Sequence, residues 1–383
     1  MGTEKNRPSR PWLLRWAVLG LIVAGGIVQI VMSGYYLSVA HAPQPHDLPV
    51  GFVAAPEDAA RIEAGIDQGG QFAARRYPSV DAMTAAITTK EIFGGLDAST
   101  APAHLYVASA AGTAASNALR TAFTGVVQKQ TAEKVQQLTA AGQPVAPATV
   151  QQLTTPPAVT DLVPLPPDDR TGASIGLLVQ ALAIGATVAS LGLGRIGART
   201  TPSLLRGAGH TATLLVYAAV SAAAVLGAAH AFGVVPAGTD NHLFGAFLLV
   251  SVAITGSVAG VVALIGAVGS FLGTFYFLFG VPISGATVIP EFLPPLARVL
   301  GQVLPTGAGA TLVRDSLYFP DAGVTRPVLT LSLYAGVGIL LVLITNALAN
   351  RSRRASLLNI TGQPADPDPP DDVPAGVVAE EPT

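Results

Sequence analysis

From Asn241 to Pro290 the chain runs for 50 residues without a Lys, Arg, Asp or Glu. A water-facing surface is not built from such a stretch, since an average soluble domain is about one-quarter charged. At about 1.5 Å per helical residue the run is too long for one bilayer crossing and long enough for two. Shorter uncharged gaps repeat the pattern between Arg15 and His41, Arg170 and Arg195, His210 and Asp240, and Arg326 and Arg351. Dividing the longest gap at Gly266–Ser270 predicts six crossings. They fall near Trp16–Leu37, Ala173–Leu193, Thr211–Val234, Leu243–Ile265, Phe271–Val288 and Val328–Ala349. The composition agrees: of 383 residues, 50% are apolar and 11% charged. The lipid bilayer is therefore an expected partner of this chain.

The first crossing competes with a signal-peptide reading, because Ala40-His41-Ala42 has the small-x-small look of a cleavage site. The apolar run is longer than the 7–15 residues usual for the core of a signal peptide, and Pro43 follows the would-be scissile bond. An uncleaved anchor is the expected form. Lys5, Arg7, Arg10, Arg15, Arg195, Arg199, Arg206, Arg351, Arg353 and Arg354 all fall on one side of a six-crossing layout. The positive-inside rule then places both termini in the cytoplasm, although Arg298, Arg314 and Arg326 sit in an outer loop. An excess of 17 Arg over 4 Lys, with abundant Ala, hints at a bacterial source and hence a bacterial plasma membrane.

The expected architecture is an α-helical integral membrane protein with six transmembrane helices, plus a small α/β extracytoplasmic domain between helices one and two. Residues 1–15 form a cytoplasmic N-terminus, 16–37 the first helix, 38–171 the outer domain, 172–350 a five-helix membrane domain and 351–383 a cytoplasmic tail. Within the outer domain, strands are expected at Leu48–Ala54, Ile92–Leu96 and His104–Ser109. Helices are expected over Glu57–Ile66, Val80–Thr88 with Ser79 as N-cap, and Thr113–Ala140. Gln143–Pro167, rich in Pro, Thr and Gln, reads as an extended leg back to the membrane. The tail from Gln363 carries six acidic residues and no basic ones, a composition that cannot bury a core.

Several chemistries are excluded. Zero Cys removes disulfides, thiolate metal sites and thiol catalysis together. A net charge of −2 with interspersed signs excludes a nucleic-acid-binding face. There is no Gly-x-x-x-x-Gly-Lys-Ser/Thr loop, no His-Glu-x-x-His and no Gly-x-Ser-x-Gly, and the six His lack metal-ligand spacing. No enzyme activity and no cofactor are expected. The spans hold no Asp, Glu, Lys or Arg, which disfavours ion-coupled transport, and His230 is read as a boundary residue. Small residues, as in Gly256-Ser-Val-Ala-Gly260, suit close helix packing.

Residues 289–319 stand out. Two short amphipathic pieces, near Leu293–Val303 and Gly309–Phe319, are expected to break at Pro305-Thr-Gly307, neither long enough to cross. Prolines and charges are costly in lipid, so these are expected as re-entrant or interfacial helices on the outer side. Glu291, Arg298, Arg314 and Asp315 are their charged residues and the candidate outer site.

With these features in view the chain resembles the ABC-2 type transporter permeases with a large ectodomain, the group of the phage-infection protein and the nitrosoguanidine-resistance-like membrane proteins. The matching residues are Leu48-Pro-Val-Gly-Phe-Val53, Ile92-Phe-Gly-Gly-Leu96, Gly280-Val-Pro-Ile-Ser284, Ile289-Pro290, Phe292-Leu-Pro294, Leu304-Pro-Thr-Gly307 and Val313-Arg-Asp315. The resemblance implies a permease subunit that forms a homodimer or heterodimer and works with a separate ATPase subunit. It implies export of a hydrophobic or amphipathic molecule such as a lipid, a drug or an envelope component. It also implies a partner-coupling loop at Arg195–His210, with a short helix at Pro202, Leu204, Leu205 and Arg206. The alternative is an envelope scaffold or receptor that acts through its ectodomain without transport.

Overall fold

The computed structural model describes residues 11–66, 70–100, 102–141, 157–197, 203–236 and 238–361. The acidic tail from Gln363 and most of the leg from Gln143 lie outside the described residues.

Helix α1 (Pro11–Ala40) leads into an α/β domain. Its elements are β1 (Leu48–Val53), α2 (Pro56–Ile66), β2 (Phe72–Arg76), α3 (Val80–Thr88), β3 (Gly94–Asp97), β4 (His104–Val107), α4 (Thr113–Ala140) and β5 (Ala158–Asp161). The strands form one mixed sheet in the order β2-β1-β3-β4-β5, with β1 parallel to both β2 and β3, β4 antiparallel to β3, and β5 parallel to β4. Ser79 caps α3, its hydroxyl accepting from the Ala82 amide at 3.2 Å. Two of the five strands were not expected. Phe72–Arg76 is short and poor in β-branched residues, and Ala158–Asp161 lies within the segment read as an extended leg.

Helices cover both faces of the sheet because β1-α2-β2 steps one way and β2-α3-β3 steps back across β1, which right-handed crossovers resolve onto opposite faces. The Gly94-Gly95 pair serves both. A Cβ on Gly94 would lie 2.7 Å from Leu119 of α4, and one on Gly95 would overlap Met83 of α3. Consecutive strand residues point to opposite faces, so two adjacent glycines admit two helices to close approach. Met83, Ile87, Leu119 and Phe123 fill the resulting core.

The remainder is helical. The elements are α5 (Ser174–Gly197), α6 (Leu204–Ala231), α7 (Asp240–Ile265), α8 (Phe271–Phe275), α9 (Pro295–Val303), α10 (Pro305–Tyr318) and α11 (Thr325–Thr361). Among the described residues, five apolar stretches are long enough to cross a bilayer: Val18–Ala40, Ser174–Gly192, Leu205–Ala231, Asp240–Gly280 and Thr325–Leu348. Such a set is compatible with a multi-pass membrane protein. Helix α7 is the central one and packs on α5, α6, α10 and α11. Helix α1 stands apart: most of Val18–Ala40 is exposed, and its far end is tethered by Val39, buried with Ile283 and Leu293, and by the Tyr35 hydroxyl, which donates to the Phe279 carbonyl at 2.5 Å.

The crossing expected over Phe271–Val288 does not appear as a continuous helix. At Gly266 (φ +73°) the chain leaves α7, makes a 3-10 turn through Ser270, and folds back against it as α8 and one π-helical turn, Tyr276–Gly280. Tyr276 and Ser257 hydroxyls meet at 3.3 Å across the fold-back. Beyond Gly280 the backbone turns, and Gly285 (φ +82°) takes a conformation that suits glycine. The last helix also departs from expectation, since its backbone runs past Arg351 to Thr361.

Candidate functional site

Helices α9 and α10 form a hairpin. The break is one residue, Leu304, in extended conformation, after which Pro305 begins α10 at a position where its missing N–H costs nothing. The Pro-Thr-Gly expected as the break is therefore the first turn of a helix. Glycines allow the hairpin to close. A Cβ on Gly307 would overlap the Gly301 carbonyl, and one on Gly301 would overlap that of Ile283. One side of α10 packs on α7, where Gly309 meets Val250. Among described residues nearly all of α10 is buried, charged Arg314 and Asp315 included.

The hairpin carries the α/β domain. His46, two residues before β1, donates its backbone N–H to the Glu291 carbonyl at 2.8 Å. Arg298 reaches the His46 carbonyl at 3.5 Å, and its guanidinium lies 4.0 Å from Glu291 Oε1. Ile289 packs against Gly112, just before α4. Arg314 donates from Nη1 to the Gly285 carbonyl at 2.9 Å and from Nη2 to that of Ala286 at 2.8 Å, tying the turn after the fold-back to α10.

At the centre the Lys90 ammonium pairs with Asp315 Oδ1 and stands 5.7 Å from the centre of the Phe319 ring. Lys90 follows α3 with φ +60°, so the backbone that aims it into the joint is itself left-handed. Burial pushes the Lys90 pKa below 10.5, with Arg314 acting in the same sense and the attraction of Asp315 and Glu291 opposing. Among the described residues of the joint, His46 Nδ1, Glu291 Oε2 and Arg314 Nε are buried without a hydrogen-bond partner. Behind the joint, Asp169 caps α5, accepting from the Ala173 amide at 3.1 Å.

The four outer-site residues expected from sequence are thus brought to one joint, with Arg298 and Glu291 at its rim and Arg314 and Asp315 in its middle. Lys90, His46 and Asp169 were missed. The coupling residues behave differently. Pro202 lies outside the described residues, and Leu204, Leu205 and Arg206 form the first turn of α6, capped by Ser203, in place of a separate short helix. Leu205 is 84% exposed there. His230 pairs with Asp240 at 2.8 Å across the α6–α7 connection, both about half exposed. Among the described residues no group of three or more His, Asp or Glu is placed to hold a metal ion. No family model, no curated protein and no solved structure matches this chain.

Proposed function

We propose that this chain is an ABC-2-like permease subunit that exports a hydrophobic or amphipathic molecule, working as a dimer with a separate ATPase. The observation that carries the reading is the α9–α10 hairpin, too short to cross, lodged against central helix α7 and joined at its charged end to the α/β domain. Non-helical backbone and prolines at such a place are tolerated where they are buried in protein or line a path. In this reading α8 and the turn after it complete a sixth crossing, the α/β domain lies outside a bacterial plasma membrane, and both termini lie in the cytoplasm. The absence of a phosphate-binding loop from the sequence gives the energy source to another chain. The exposed first turn of α6 at Leu205 offers that chain an apolar contact.

The test is affinity purification of the tagged protein from its native membrane, followed by identification of stoichiometric partners. An ATPase that co-purifies and is lost when Leu204→Asp and Leu205→Asp are combined supports the permease. A preparation that lacks an ATPase, together with a phenotype abolished by deleting residues 50–160, favours an envelope scaffold that acts through the α/β domain.

A further inference from the structure

We propose that the cleft between α7, α10 and α11 binds a single-chain amphiphile with an amine in its head group, and that Asp315 receives that amine in competition with Lys90. The cleft has a volume of about 230 Å³ and is walled by Ala246, Leu249, Leu312 and Val328. That is below the roughly 300–1,000 Å³ of pockets that enclose a drug-sized molecule, so it has room for one chain or ring. Polar residues share that lining, since Asp315 and Ser316 of α10 and His242 of α7 also line the cleft. A mostly apolar trough that also presents a carboxylate residue suits a molecule with an apolar body and a polar head.

The head-group chemistry follows from Asp315. Its Oδ1 is paired with Lys90, yet the residue also lines the cleft, as does Phe319, over whose ring the Lys90 ammonium stands. Lys90 itself does not line the cleft. A phosphate or carboxylate head cannot bond to the Asp315 carboxylate, whereas a protonated amine can replace Lys90 there with a charge-assisted hydrogen bond of its own. The same carboxylate fastens the α/β domain to the hairpin, so an occupied cleft weakens that fastening. Binding and domain docking are thereby coupled through one side chain, and each opposes the other by the same free energy. The site requires neither transport nor an ATPase, so its failure and that of the permease reading are separable.

The test uses the full chain in lipid nanodiscs and a dodecylamine carrying a photoreactive diazirine at its chain end, beside analogues headed by a carboxylate and by a hydroxyl. Labelled positions are mapped by mass spectrometry. The amine probe is expected to label Leu249, Leu312 and Val328 about tenfold above its analogues. Asp315→Asn should abolish the preference for the amine, and Lys90→Met should raise amine labelling severalfold by freeing the carboxylate. Gly245→Leu provides a variant that spares the ion pair. A Cβ there meets nothing within 4 Å and Gly245 lines the cleft, so a leucine at this position should block labelling. Labelling equal to that of the exposed Leu21 and Ile22 on α1, and unchanged by Gly245→Leu, would overturn the site. Equal labelling by the carboxylate-headed probe would overturn the assignment of the head group.

Discussion

Lys90 and Asp315 lie 225 positions apart in the sequence and meet as an ion pair where the α/β domain sits on the hairpin. Only 16% of the lysine side chain and 5% of the aspartate side chain are exposed, so each charge depends on the other for the solvation it has lost. Breaking such a pair from one side strands a buried charge, at a cost of about 3–5 kcal/mol, whereas replacing both partners by apolar groups is often neutral or stabilising. Lys90→Met and Asp315→Leu are therefore each expected to loosen the domain joint, and the double variant to recover most of the loss. Hydrogen exchange at the backbone amides of β1 and β3, beside the joint, reads the effect. Additive single and double effects would mean that the pair is not coupled.

The same lysine gives the joint a pH dependence of predictable sign. Burial holds the folded-state pKa of Lys90 below its unfolded value of 10.5, despite the opposing attraction of Asp315. Between the two values the unfolded chain binds the extra proton, so stability contributed by this group rises with pH across that window. Below the folded value the desolvation cost is present in full. Denaturant unfolding from neutral pH up to 10.5 should show the rise in the parent chain and its loss in Lys90→Met. A fall over that window, abolished by the same substitution, would reverse the assignment.

Arg314 is expected to tolerate no cationic substitute. Its guanidinium fork spans two adjacent carbonyls, Gly285 and Ala286, from a fully buried position. A lysine brings a compact point charge and cannot reproduce the planar fork. Arg314→Lys leaves one carbonyl unsatisfied, which costs about 1–3 kcal/mol. The midpoint of thermal unfolding in detergent checks this, and a midpoint equal to that of the parent would show that the fork is dispensable.

Much of the fold is legible where the signal is local. The spacing of apolar residues locates α2, α3 and α4, and Ser79 identifies its own helix start. The Gly-Gly of β3 is legible only as part of a strand, and its role in admitting two helices to one sheet emerges from the structure. The joint is half legible. Arg314 and Asp315 are conspicuous as charges in an apolar region, but their partners are not, because nothing within a window of residues connects Lys90 to α10. Strand β5 escapes for the same reason. Ala158-Val-Thr-Asp161 becomes a strand by pairing with β4, a neighbour more than fifty residues earlier. Counting apolar residues also overstates α8, since hydropathy measures length along the chain and does not register that the helix unwinds after Gly280.

The crossing of α7 and α11 supplies a prediction that depends on backbone contact alone. A Cβ on Gly260 would lie 2.6 Å from the Gly338 carbonyl, and one on Gly338 would overlap the backbone of Gly256. The two helices therefore touch main chain to main chain over the Gly256-Ser-Val-Ala-Gly260 segment, as small residues permit in lipid, where packing takes over from the hydrophobic effect. Neither helix can give way cheaply, because α7 is also wedged between α5, α6 and α10. Gly338→Val should force the pair apart and lower the yield of monodisperse protein severalfold. Gly336→Val, two residues away with nothing within 4 Å of its Cβ, should be tolerated. Size-exclusion profiles of the two variants decide it: equal profiles would mean that the helices do not pack through these glycines.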